Sequence, residues 1–184
     1  MKKIKLFALL ILSITAANDS FAQMQRTVMV GGAAMYPTKN IIQNAVNSAD
    51  HTTLVAAVKA AGLVDVLSGT GPFTVFAPTN AAFNLLPAGT VETLVKPENK
   101  ALLTSILTYH VVSGRLNSKN LMKMIKKANG VATLTTVAGG KLMVMRKGNM
   151  LMVKDAKGGV ANITIKDVNQ SNGVIHVVNR VLMP

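Results

Sequence analysis

The segments Thr74-Val-Phe-Ala-Pro-Thr-Asn-Ala-Ala-Phe83 and Gly173-Val-Ile-His-Val-Val-Asn-Arg-Val-Leu-Met-Pro184 decide the reading of this 184-residue chain. The first belongs to a short apolar run over Phe73–Ala77, read as a buried strand, which Pro78 stops because proline has no amide hydrogen to give to a sheet. Thr79 follows. Its hydroxyl can accept from an otherwise orphan amide two or three residues on, so a helix is predicted over Asn80–Leu86, ending at Pro87. The second segment is dense in β-branched residues from Val174 to Val181 and reads as one long strand reaching Leu182.

Upstream of the first segment, Ser68-Gly-Thr-Gly-Pro72 is a turn, and Asn40–Asn47 and Asp50–Ala61 suit helices. In the second of these, Leu54, Val55, Val58 and Ala61 share one face, Asp50 favours the start and Gly62 the end. Leu63–Leu67 is a short helical continuation. Between the two segments, Thr90–Val95 makes a helical turn, and Leu102, Leu103, Ile106 and Leu107 mark a buried helix over Pro97–Thr108 that runs into an extended Tyr109-His-Val-Val112. A basic helix over Ser118–Ala128 follows, then extended segments at Ala132–Val137, Lys141–Arg146, Met150–Lys154 and Ala161–Val168, separated by turns rich in glycine and asparagine. Helices first and antiparallel strands second predict an α+β domain, a bent antiparallel β-sandwich covered by several short α-helices.

The two quoted segments, with Tyr109-His110 between them, resemble the two signature boxes and the intervening Tyr-His pair of the fasciclin-like domain family. The resemblance runs from about Lys39 to Pro184. It implies the fasciclin-like fold and the role of an extracellular adhesion module that binds matrix components or cell-surface receptors, with no established catalytic role as a class. In animal matrix members the Tyr-His region and an Asp-Ile pair ahead of the second box are linked to integrin binding. The matching positions here are Tyr109, His110 and Asp167, with Val168 in place of the isoleucine, and these four are the candidate adhesion residues. Val178-Asn179 stands where many relatives have Ile-Asp, which removes a negative charge, and Asn80 stands where relatives have Asn or Asp.

Residues 1–22 have the layout of a secretory signal peptide: Lys2, Lys3 and Lys5, the apolar run Leu6–Ile14, then Ser20-Phe-Ala22 as a small-x-small cleavage site. The expected destination is the periplasm or the extracellular space. The apolar run is shorter than the roughly 20 residues a spanning helix needs, and no later stretch qualifies. Residues 23–38 read as a tether and 39–184 as the domain. Without cysteine the chain has neither disulfides nor thiol chemistry, so packing alone must hold it. The formal charge of +13 falls to +11 once Lys2, Lys3, Lys5 and Asp19 are removed with the leader. Such a charge attracts lipopolysaccharide, acidic polysaccharide, acidic matrix or nucleic acid without choosing among them.

Catalysis finds no support. The acidic residues that remain, Asp50, Asp65, Glu92, Glu98, Asp155 and Asp167, are scattered instead of paired. His51, His110 and His176 lack the spacing of a zinc site, and no nucleophile elbow, phosphate loop or dinucleotide fingerprint occurs. No metal or cofactor is expected. Lys119, Lys123, Lys126 and Lys127 fall on one face of the basic helix, either as a polyanion patch or as an ordinary solvated face, while Leu121, Met122 and Ile125 point inward. Five Phe and two Tyr are too few for base-stacking platforms, so nucleic-acid binding would be nonspecific. Met143, Met145, Met150 and Met152 read as core packing in strands apolar on both faces, with an adhesive patch as the other reading. The expected function is a non-catalytic adhesion or surface-interaction module for protein or polysaccharide on a cell surface, matrix or envelope. The alternative is a periplasmic binding or signalling protein whose basic surface or pocket takes an anionic ligand.

Overall fold

The computed structural model describes residues 27–184, so the expected signal peptide, residues 1–22, lies outside the described residues. The described chain enters as a hairpin, β1 (Val28–Val30) and β2 (Ala33–Met35). Gly31 and Gly32, both at positive φ, supply its two-residue turn. Val30 and Met35 are buried against the helices, so residues expected as a tether are packed structure from Val28 onward.

Six helices are built before the second half of the sheet: α1 (Ile41–Ala45), α2 (Thr52–Ala61), α3 (Val64–Ser68), α4 (Asn80–Phe83), α5 (Thr90–Leu94) and α6 (Lys100–Tyr109). Their ends follow the side chains available. Asn40 and Gln43 form a reciprocal capping box on α1. Gly62, at φ 73°, closes α2 in the left-handed conformation that lets orphan carbonyls find partners. Thr79 caps α4 by accepting from the Ala82 amide at 3.2 Å. Asn80 then ties α4 to the start of α2: its Oδ1 accepts from the Thr53 amide at 3.0 Å, and its Nδ2 donates to the Ala49 carbonyl at 2.8 Å and to the Thr52 hydroxyl. The helix expected to Leu86 stops at Phe83.

The strands are β3 (Phe73–Pro78), β4 (Val111–Ser113), β5 (Val131–Thr135), β6 (Lys141–Lys147), β7 (Met150–Lys154), β8 (Val160–Gln170) and β9 (Gly173–Val178), with α7 (Ser118–Lys127) between β4 and β5. They form one sheet in the order β4-β3-β9-β8-β7-β6-β5. Most neighbours run antiparallel. The exception is the pair made by the two signature segments: β3 and β9 run parallel, with Phe73 opposite Gly173 and Pro78 opposite Val178. The far ends of the sheet meet. Thr136 bridges Val112, and the Val137 amide donates to the Val111 carbonyl at 2.7 Å. The α+β architecture expected from the sequence is thus observed, as a bent sheet curled on itself with helices packed outside.

Two cores result. Val75, Ala77, Ile175 and Val177 face helices α1 to α6 on one side of the β3–β9 pair. Phe76 and Val178 face the other side, where Leu142, Val144, Leu151 and Val153 of β6 and β7 pack with Leu121 and Ile125 of α7. Because β3 and β9 are buried on both faces, they read as continuous apolar runs and not as alternation.

Four local expectations are corrected. Tyr109 ends α6 and does not start a strand, since the His110 amide still closes onto the Leu107 carbonyl at 3.1 Å. Strand β9 stops at Val178, not Leu182, because the Leu182 and Met183 amides leave the ladder for His110 Nε2 and the Asp155 carboxylate. Leu102 is 52% exposed while Leu103, Ile106 and Leu107 fill the core, as a single helical face allows. The methionines of β6 and β7 are not core residues: Leu142, Val144, Leu151 and Val153 take the inner face, Met143, Met145 and Met152 lie half-buried on the outer one, and Met150 is 48% exposed.

Gly173 lies where two backbones meet. A Cβ there would stand 2.3 Å from the Phe73 carbonyl oxygen, and neither strand has room to withdraw. Gly173→Ala is expected to lower unfolding stability by about 3 kcal/mol. The control Gly148→Ala, at φ 58° in an open turn, should cost only about 1 kcal/mol. Urea titration of both variants checks the ordering, and equal losses would contradict the close approach.

Candidate functional site

The site is built on an irregularity in β8. Ile165 pairs with Val177 and Val168 with Ile175, so Lys166 and Asp167 together face the single residue His176. Such a bulge re-aims the side chains it carries. Asp167 takes up the extra residue at φ 60°, a left-handed conformation that Asp adopts more readily than most. Its amide donates to His176 Nδ1 at 3.3 Å, and its carboxylate accepts from the Ser118 amide at 2.5 Å and from the Ser118 hydroxyl. A negative charge is thereby held in the first turn of the ten-residue α7, where the helix dipole favours it. Asn117 completes that end by accepting from the Asn120 amide at 2.9 Å.

With α7 fixed in this way, its basic face borders a groove. Lys119 and Lys123 come from the helix, Arg146 from the end of β6 and Lys166 from the bulge, and Ser118, Asn149, Met122 and Leu151 complete the lining of a concavity of about 620 Å³. A second concavity of about 360 Å³ shares Met122, Lys123 and Arg146 and adds Lys126. Arg146 is directed by its own turn, donating from Nε to the Gly148 carbonyl and from Nη2 to Asn149 Oδ1 at 3.5 Å. Four cations from three elements thus border the first depression, Lys126 joins Lys123 and Arg146 at the second, and no carboxylate lines either. Lys127, on the same helix, is exposed outside it.

Sequence reasoning placed Lys119, Lys123 and Lys126 but missed Arg146 and Lys166. The Lys147-Gly148-Asn149 turn was the available signal for Arg146. Lys166 had none, because its direction depends on a bulge that shows only in the pairing register.

The four candidate adhesion residues do not form a surface. Tyr109 is fully buried: its hydroxyl donates to the Lys141 carbonyl at 2.6 Å and accepts from the Ala156 amide at 2.9 Å, and burial pushes the phenol above its ordinary pKa. His110 is buried too. Its Nδ1 lies 2.8 Å from the Ile106 carbonyl and must donate, while Nε2 accepts from the Leu182 amide at 2.9 Å, which assigns the neutral Nδ1–H tautomer. Burial drives its pKa down to about 4 against weaker opposition from the Ile106 carbonyl and Asp155. Val168 is buried in the helix-side core. Asp167 is half-buried with its carboxylate engaged by Ser118. Tyr109, His110 and Val168 thus hold the interior, and Asp167 holds the start of α7.

His176 is likewise committed at both ring nitrogens, to the Leu116 carbonyl at 2.8 Å and the Asp167 amide, and it stacks on Phe76 with ring centroids 5.8 Å apart. Burial lowers its pKa. Asp155, missed in the sequence reading, is buried and locks the chain end by accepting from the Gly159 amide at 2.7 Å and the Met183 amide at 3.1 Å. Among the described residues no three His, Asp or Glu side chains are grouped to hold a metal ion, and no helix is long and apolar enough to cross a membrane.

Comparison with known proteins adds relatives. A model of the Fasciclin domain family matches residues 49–184. Protein sll1483 of Synechocystis sp. is 43% identical over 172 residues, covering 92% of this chain and 87% of that protein. The immunogenic protein MPB70 of Mycobacterium bovis is 41% identical over 143 residues, covering 75% of this chain and 65% of that protein. Among solved structures, a domain pair from the insect cell adhesion molecule Fasciclin I is similar at a TM-score of 0.70 and 19% identity, over 79% of this chain and 51% of that one. At that identity the likeness is one of fold.

The buried imidazoles fix a pH dependence. Below the ordinary value of 6.5 the unfolded chain binds protons that folded His110 refuses until about pH 4. Stability is therefore full above about pH 7 and falls as pH drops through that window, by roughly 3 kcal/mol from His110 alone. His51 and His176, lowered in the same direction, steepen the fall. Urea unfolding at pH 7.5, 6.0, 5.0 and 4.5 measures it, and a flat profile would contradict the neutral buried state.

Proposed function

Because the chain belongs to the fasciclin domain family, which is associated with cell adhesion or surface proteins and is in general non-enzymatic, we propose that it is an exported adhesion or surface-interaction module. It engages anionic components of a cell surface, envelope or matrix through the groove between α7, the β6–β7 turn and the bulge of β8. The observation that carries this reading is the convergence of Lys119, Lys123, Arg146 and Lys166 on one depression, with Lys126 at the second depression beside it and no carboxylate lining either. A solvated helix face accounts for the lysines of α7 but not for Arg146 and Lys166 arriving from other elements. Cations gathered at a concave surface raise the local potential above that of the same charges spread evenly, which attracts and orients a chain of sulfate, phosphate or carboxylate groups. Export is supported by the layout of residues 1–22, and the domain of residues 39–184 is proposed to extend back to include the β1–β2 hairpin.

A charge-matched comparison tests the site. The double variant Lys123→Glu with Arg146→Glu is expected to weaken binding to immobilised heparin about tenfold at 0.1 M salt and to flatten the dependence of log affinity on log salt. The variant Lys59→Glu with Lys100→Glu changes net charge equally but lies away from the groove, and it should change affinity less than twofold. Equal losses in both would mean that net charge acts alone and would overturn the groove as the site. Affinity that grows with heparin length supports a surface module, whereas tight binding of a single inorganic phosphate would favour a receptor for a soluble anion.

A further inference from the structure

A second site is carried by the helix-side core, remote from the basic groove. An apolar cavity of about 50 Å³ lies between α1, α2 and the β3–β9 pair, with Val58, Leu107 and Ile175 among its buried walls. It is not sealed. Ile42, Ala45 and Val55, which are half-buried, also line it, so α1 and α2 form its rim.

Two imidazoles stand in this hydrocarbon wall. His110 spends both nitrogens on the Ile106 carbonyl and the Leu182 amide, as described above. His51 does not. Its Nδ1 lies 2.9 Å from the Ser48 hydroxyl, but its Nε2, fully buried, is the one buried side-chain polar atom among the described residues without a hydrogen-bond partner. The Ala77 backbone approaches the ring closely enough to oppose the lowering of its pKa, yet no well-formed hydrogen bond reaches Nε2. An unsatisfied buried polar atom is destabilising, and a ligand hydroxyl or carbonyl would supply the missing hydrogen bond.

We propose that this cavity binds the polar end of a neutral single-chain amphiphile, an aliphatic alcohol or its carbonyl equivalent, with His51 as the polar anchor and the α1–α2 rim as the exit for the chain. Charge and size select the class. The interior of the lining is hydrocarbon apart from the imidazoles, and an anion taken inside would lose its hydration with no cation beside it there. Lys59, the charged residue of the lining, is exposed at the rim. A volume near 50 Å³ is well below the roughly 150 Å³ that holds a benzene ring, so a slender chain end enters where a ring does not.

The test uses 1-octanol as probe with the whole protein, followed by amide and methyl chemical shifts. Saturable shifts confined to α1, α2 and the facing part of β3 are expected. Octanoate at pH 7.5 should bind at least tenfold more weakly, and His51→Phe should lose about tenfold in octanol affinity, the effect of one hydrogen bond. Ala45→Phe, at a half-buried position on the rim, should abolish the shifts while leaving the fold intact by circular dichroism, so the proposal stays testable if the His51 variant fails to fold. Shifts that persist in Ala45→Phe, equal binding of octanoate, or an ordered water at Nε2 that octanol does not displace would each overturn it. Heparin binding should be unaffected by either variant.

Discussion

The parallel ladder between Phe73–Pro78 and Gly173–Val178 is the constraint on which the rest of the molecule depends. It joins strands a hundred residues apart, Phe73 opposite Gly173, and both are buried on both faces. Neither core can form without it, since one packs against Val75, Ala77, Ile175 and Val177 and the other against Phe76 and Val178. Asn172, in the turn that leads into β9, strengthens the link: its Oδ1 accepts from the Ile41 amide at 3.0 Å and its Nδ2 donates to the Leu67 and Gly69 carbonyls at 2.8 Å. One buried side chain thus ties α1 and the end of α3 to the closing strand. A fold closed by such distant contacts gains little until most of it is in place, which favours all-or-none unfolding.

Much of this was legible because local chemistry and global position agree. Thr79 and Asn40 announce helix starts, Gly62 announces an end, and the apolar run of β3 is what a strand covered on both sides must look like. The failures share a cause. A strand of β-branched residues looks unbroken through Val181, but where it leaves the ladder is set by His110 and Asp155, which are distant in sequence. The methionines of β6 and β7 look like core because Met is apolar, and only the register shows that leucine and valine hold the inner face. The Gly31-Gly32 turn carried a hairpin signal that the small residues around it concealed.

The candidate site was legible in part for a related reason. Lysines at helical spacing can be counted from the sequence, whereas Lys166 joins them only because β8 carries one residue more than β9 between Ile165 and Val168. The same extra residue gives Asp167 its role. It is an internal brace for α7, bound through its carboxylate to Ser118.

The bridge from Val112 to Thr136 carries one more consequence. An open sheet would expose a row of unpaired amides and carbonyls along each border, a template on which another copy of the chain could add and propagate fibres. Here the two borders, the three-residue β4 and the five-residue β5, are short and turned toward each other. For a chain with no cysteine to lock it, this closure protects against edge-to-edge aggregation. It also leaves fewer unpaired backbone groups along those borders for a partner strand to pair with.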